Sequence, residues 1–266
     1  MSPDPLLADS ITKLGPEAAG AVVVTGSHGG VFPASLARAA RCRAAIFNDA
    51  GVGLDAAGIG GLGWLEARGM AAAAVDHRSA TIGDAGAMLA RGRISHANAR
   101  AAALGVTAGM ACAEAAARLA AAPQPEGKVA PLAEARRELR PEGAQRLLVL
   151  VDSASLVGVA DAGRVVVTGS HGALFGGDPR NALKAAAFLA LFNDAGGPAG
   201  TTRLPALQAR GIAAATVAAA SARIGEAAST WQDGVISAFN PAAAALGARA
   251  DLPASTLVAT ALNAPG

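Results

Sequence analysis

Asp76-His77-Arg78-Ser79 is the densest run of reactive side chains in the chain. A carboxylate next to an imidazole pairs a proton acceptor with a group that orients it. Arg78 adds a guanidinium that could clamp an anion, and Ser79 a nucleophile or hydroxyl donor. A related stretch, "VAAASARIGE", lies further along. It keeps Ser221 and adds Arg223, but has Ala218, Ala219 and Ala220 where the first has Asp, His and Arg.

A second pattern occurs twice, as "VVVTGSHGG" from Val22 and "VVVTGSHGA" from Val165. Gly26, Ser27, His28 and Gly29 in the first copy answer Gly169, Ser170, His171 and Gly172 in the second. Glycines after an apolar strand let backbone N–H groups face an oxyanion, and a hydroxyl and an imidazole there could bind it or move a proton. The plainer alternative is a tight turn whose Ser and His cap the next helix. Neither a Walker loop nor G-x-G-x-x-G is present, so no nucleotide is indicated.

"IFNDAG" and "LFNDAG" repeat as well, placing Asn48-Asp49 and Asn193-Asp194 after apolar runs. Asx residues there either close a turn or orient a ligand. "GRISHAN" answers "GVISAFN", so Ser95 has a partner in Ser237 while His96 meets Ala238. All four histidines, His28, His77, His96 and His171, sit in or beside repeated motifs. The expected proton-transfer and nucleophilic set is His28, His77, Asp76, Asp49 and Ser79. The expected binding frame is Gly26, Ser27, Gly29, Asn48, Arg78, Ser95, His96, Gly169, Ser170, His171, Asn193, Asp194, Ser221 and Arg223.

These residues need elements to carry them, and the repeats supply the plan. The chain reads as a tandem duplication: a first α/β repeat over 1–120, a linker with a short polar helix over 121–146 around "EARRELR", and a second repeat over 147–266. Within a repeat, a β-branched run ends in the Gly-Ser-His turn, a helix follows, then a strand to Asn-Asp, a helix, and a third strand of Ala and Val. Three helical stretches come next, the second beginning near Ser95. "RLLVLVDS", and more weakly "PLLADS", suggest one further strand. The expected fold is a Rossmann-like parallel α/β unit of three to four strands, duplicated with pseudo-two-fold symmetry. In such sheets the polar loops collect at the C-terminal strand edges, where ligands bind.

The bulk numbers set the class. The chain has 266 residues, 52% of them hydrophobic but only 3% aromatic, with no Tyr. The formal net charge is +2 with no basic run, which speaks against nucleic acid or a membrane surface as partner. No signal peptide or spanning helix is read, and the two cysteines, Cys42 and Cys112, suit a reducing cytoplasm. No cofactor is expected. The alternative is a divalent ion such as Zn²⁺ held by histidines with Asp49 or Asp76, although the spacings match no metal motif. No G-x-S-x-G elbow is present. The repetition of α/β units around serines resembles the ring-opening amidohydrolases. Those have a different repeat number and Ser–Lys pairs, whereas Lys13, Lys128 and Lys184 are not paired with the repeated serines. The expected function is hydrolysis of an amide or cyclic amide in a polar or anionic metabolite, at a site between the repeats. Isomerase or lyase chemistry by proton abstraction is the runner-up, and a non-catalytic metabolite-binding module is the reading from another class. A homo-oligomer is compatible with so Ala-rich a chain.

Overall fold

Uninterrupted β-branched runs such as Val22–Val24 and Val165–Val167 favour strands that are buried on both faces, and each becomes a central strand of a mostly parallel sheet. The computed structural model describes residues 4–174 and 178–265. It divides into two compact units. One runs up to Val52 and resumes over Ala56–Ala133; the other comprises Gly53–Asp55 and the chain from Glu134.

The first unit runs β1 (Leu6–Ala8), β2 (Val22–His28), α1 (Val31–Ala39), β3 (Ala44–Asn48), α2 (Gly60–Glu66), β4 (Ala71–Val75), α3 (Ala85–Arg91), β5 (Ile94–Ala97), α4 (Ala99–Ala103) and α5 (Cys112–Leu119). Its sheet has five strands in the order β1-β2-β3-β4-β5. The first four are parallel and β5 is antiparallel to β4. Because side chains alternate along a strand, each face gathers its own core. Val22, Val24, Ile46 and Ala73 pack with Met88 of α3 and Cys112, Ala116 and Leu119 of α5. Val23, Ala45, Phe47 and Ala72 pack with Ala34 of α1 and Leu62 and Leu65 of α2.

The second unit runs β6 (Arg136–Leu139), β7 (Leu148–Val151), β8 (Val165–His171), β9 (Leu189–Asn193), α6 (Arg203–Gln208), β10 (Ala213–Val217), α7 (Ala227–Gln232), β11 (Ile236–Phe239), α8 (Pro241–Ala245) and α9 (Ala254–Asn263). The sheet order is β11-β10-β9-β8-β7-β6, with β7 to β10 parallel and both edge strands antiparallel. Between β8 and β9 the described residues hold only a 3-10 turn, Pro179–Asn181, where the first unit has α1. Buried Arg203 clamps this irregular stretch by donating to the carbonyls of Ala173 (3.0 Å) and Ala182 (2.7 Å).

Four expectations change. Each sheet is larger than three to four strands, because short outer strands and an antiparallel strand extend the parallel core. Ser95 and His96 lie on β5, not on a helix; Ile94 and Ala97 fit the start of a helix by spacing, but the helix begins only after Asn98. The polar stretch at 134–140 forms edge strand β6 instead of a helix, since its backbone pairs with β7 while Arg136 reaches Asp161 at 2.8 Å. Thr25 to His28 do not turn after the strand but continue β2, with a register irregularity between Val24 and His28, and β8 does the same.

Two buried asparagines tie the sheets to their helices. The Asn98 amide donates to Leu62 O (3.1 Å) and Met70 O (3.0 Å), and its oxygen accepts from Ala72 N (3.1 Å) and Ala101 N (3.0 Å). Asn240 repeats all four bonds in the second unit, to Leu204, Ile212, Ala214 and Ala243. Truncation strands buried donors and acceptors, at about 1–3 kcal/mol per group. Asn98→Ala should therefore lower unfolding free energy by about 3 kcal/mol or more, measured by urea denaturation.

Candidate functional site

Parallel pairing sets β3 and β4 in register, Asn48 beside Val75, so the residues that follow each strand emerge together at one rim. Asp49 follows β3, and Asp76 and His77 follow β4. Asp49 is buried, at 4% exposure, and its Oδ1 takes three hydrogen bonds: from Gly51 N (2.9 Å), from His77 N (3.0 Å) and from His77 Nδ1 (2.9 Å). A carboxylate only accepts, so Nδ1 carries a ring proton, and in the neutral ring Nε2 keeps its lone pair. Asp76 Oδ1 lies 3.5 Å from the same Nδ1. Two carboxylates thus converge on one imidazole, and the three residues form a set able to ligate a metal.

The neighbours define the charge. Exposed Arg78 binds the Asp76 carboxylate through Nε (3.2 Å) and Nη2 (3.3 Å). Burial pushes the Asp76 pKa up, but hydrogen bonds and charge from Arg78 outweigh this and leave it below the usual value. Ser79 is committed elsewhere: its hydroxyl donates to Asp76 O (2.7 Å) and accepts from Arg93 N (2.9 Å).

The loop leaving Asp49 is strained. Ala50 (φ 53°) and Val52 (φ 65°) occupy the left-handed region, which a β-branched side chain strongly disfavours. Gly51 between them (φ 78°) lies against the His77 ring; a Cβ there would sit 3.5 Å from Cε1. Such strain persists only where surrounding structure enforces it, commonly at functional sites. Here Val52 N is bound to Asp49 O and Gly58 N to Val52 O, each at 2.8 Å.

The second unit builds the same corner with less chemistry. Asp194 Oδ1 accepts from Ala219 N at 2.7 Å, as Asp49 Oδ1 accepts from His77 N. With Ala218, Ala219 and Ala220 in place, the corner still forms, so Asp76, His77 and Arg78 are not needed to make it. Arg223 there meets Glu226 (2.8 Å), Asp55 (2.9 Å) and Asp233 (3.4 Å), all carboxylates. Ser221 repeats the role of Ser79, bonding to Ala218 O and Val235 N.

The other expected residues sit in backbone joints. Ser27 Oγ accepts from Ile11 N (3.0 Å), and Ser170 Oγ from Ala154 N (2.9 Å). Gly26 allows a close approach: a Cβ would lie 2.6 Å from the carbonyl carbon of Gly83, whose N–H bonds Gly26 O. Gly169 does the same against Gly225, and Gly29 packs against the Gly58 carbonyl. His28 Nδ1 accepts from Gly30 N, and His171 Nδ1 from Ala173 N, both at 3.1 Å. Burial pushes the His28 pKa down to about 4. Asn48 and Asn193 are fully buried, each spanning a loop through Ala80 O and Ala50 N, or Ala222 O and Ala195 N. Among the described residues His96 bonds the adjacent Ser95, whose hydroxyl reaches Ala74 O. Cys42 and Cys112 are buried, with pKa values raised by burial to about 12.

Two features escape a reading of the sequence. The strained loop carries Ala and Val where left-handed backbone usually calls for Gly or Asn. Glu134, inside a polar run, has a pKa raised to about 7 by burial, with Asp152 adding to the rise and a Ser153 hydrogen bond opposing it. Comparison with protein-family models, curated proteins and solved structures finds no match to this chain.

His28 favours its neutral form on folding, whereas the unfolded chain protonates near the ordinary value of 6.5. Stability should therefore fall as pH drops from 6.5 toward 4, by up to about 3 kcal/mol from this group. In His28→Gln that part of the pH dependence should vanish, as read from denaturant midpoints across the window.

Proposed function

We propose that the chain is a small-molecule hydrolase acting on an amide or cyclic amide of a polar or anionic metabolite, with its chemistry in the first unit at Asp49, Asp76 and His77. His77 accepts a proton from water at Nε2, and Asp49, bonded to Nδ1, holds the ring and stabilises the imidazolium as it forms. Arg78 carries the positive charge that would attract an anionic substrate. The observation that carries this reading is the second unit's Ala218-Ala219-Ala220, which closes the same corner without those side chains. The hydroxyls of Ser79 and Ser221 at the two corners are held by backbone groups, which supports water as the nucleophile. We further propose that the two units arose by tandem duplication, with the proton-transfer residues kept in one copy.

Proton abstraction from a carbon acid, as in an isomerase or lyase, is the second reading. It is favoured by the same commitment of the serines, since it needs a base and no nucleophile. A panel of linear and cyclic amides, together with solvent-deuterium exchange into candidate carbon acids, separates the two. His77→Gln should reduce kcat/KM at least 100-fold and Asp49→Asn at least 10-fold, with melting temperatures near the parent's for His77→Gln. Ser79→Ala should retain most turnover, at some cost in stability. A His77→Gln variant with parental kcat/KM would overturn the assignment, and ligand-induced stabilisation with neither product nor exchange would favour the binding-module alternative.

A further inference from the structure

The same three residues carry a second property. Zn²⁺ bound by nitrogen and oxygen at about 2.0–2.1 Å in a tetrahedron sets its ligand atoms about 3.3 Å apart. His77 Nδ1 lies 2.9 Å from Asp49 Oδ1 and 3.5 Å from Asp76 Oδ1, so the two edges bracket that spacing. The three ligating atoms all lie within 4.8 Å of one another. A second observation comes from Asp49. Its side chain is only 5% exposed, its sole ion-pair partner among the described residues is His77, and all its hydrogen bonds fall on Oδ1. No Lys or Arg pairs with this carboxylate among the described residues. Burying a carboxylate is costly unless a cation or donors satisfy it.

We propose that Asp49, Asp76 and His77 form a regulatory site for a divalent cation of the zinc class, and that the bound cation switches off the proton-accepting imidazole. The two carboxylates and Nδ1 make a borderline nitrogen–oxygen set, which suits Zn²⁺ or Co²⁺ over Mg²⁺ or Ca²⁺. Ligation uses the Nδ1 lone pair. The ring proton leaves Nδ1 for solvent and an equivalent proton returns at Nε2, so the neutral ring changes tautomer with no net proton release. Nε2 then donates where it formerly accepted. Asp76 gives up part of its pairing with Arg78, an exposed contact of small worth. The effect on turnover rests on the hydrolytic reading above; cation binding itself does not.

The test titrates the purified chain with Zn²⁺ by calorimetry and with Co²⁺ by visible absorption, without substrate. One cation per chain is expected, with Co²⁺ bands of a low-coordinate nitrogen–oxygen site. Asp76→Asn and His77→Gln should each weaken binding tenfold or more. A triple variant, Asp76→Ala with His77→Ala and Arg78→Ala, copies the residues with which the second unit closes its corner and should melt near the parent while losing the site. Equal binding by parent and triple variant, or no binding by the parent at micromolar concentrations, would refute the site and leave the hydrolytic reading standing. Where a turnover assay exists, Zn²⁺ should suppress the rate and a chelator restore it. Activation by Zn²⁺ would overturn the regulatory role while the binding result stood.

Discussion

Much in the first unit depends on one buried carboxylate oxygen, Asp49 Oδ1. It gathers the N–H groups of Gly51 and His77 and the imidazole Nδ1, joining the end of β3 to the end of β4 through a single acceptor. Those donors have no strand partner where the sheet ends, and a buried donor left unpaired is expensive. Asn48, next to it, performs a related task with Ala80 O and Ala50 N. The neighbouring Asn-Asp pair therefore does for the strand ends what a ladder does within the sheet. Once the corner is closed, a side chain at position 77 is held whatever its identity, which is why the second unit keeps the corner with alanine.

The near-absence of aromatic side chains has a structural counterpart. β4 is Ala71-Ala72-Ala73-Ala74-Val75, a run with weak intrinsic strand preference that stays extended because both faces are fully packed. Small side chains bring the helices close, and close approach is what makes glycine obligatory at Gly26 and Gly169, where another loop's backbone lies against the strand. Packing by proximity leaves little room for volume changes. Rigidity of this kind also lets the loop at Ala50 and Val52 remain in a costly conformation.

Much of this was legible in the residues, and the failures have definite causes. The central parallel strands follow from β-branched runs, and the placement of Asp49, Asp76 and His77 at one rim follows from strand order. The Thr-Gly-Ser-His segments misled because polar residues inside a strand are satisfied by distant groups, such as Ile11 N for Ser27, that no local pattern reveals. The sequence pattern places Ser95 and His96 in a helix because apolar spacing around Ile94 and Ala97 runs without a break into α4; the boundary is the cap at Asn98. β6 was hidden by its charges, which read as solvated helix until Asp161 and β7 are known to lie beside them. The left-handed loop could not be seen at all, since Ala50 and Val52 are residues that avoid such backbone.

β6 has a further consequence. All four of its residues are exposed, so no apolar burial holds it. Apart from its ladder to β7, it is retained by Arg136 with Asp161 and Glu138, and by Arg164 bridging the same two acids at 3.2 and 3.0 Å. The exposed arm of this attachment, at Glu138, weakens in concentrated electrolyte, while the pairs to buried Asp161 are screened much less. The margin of the second sheet thus depends on electrolyte more than the strands behind it do, and local opening there would begin at Glu138 and not at Asp161.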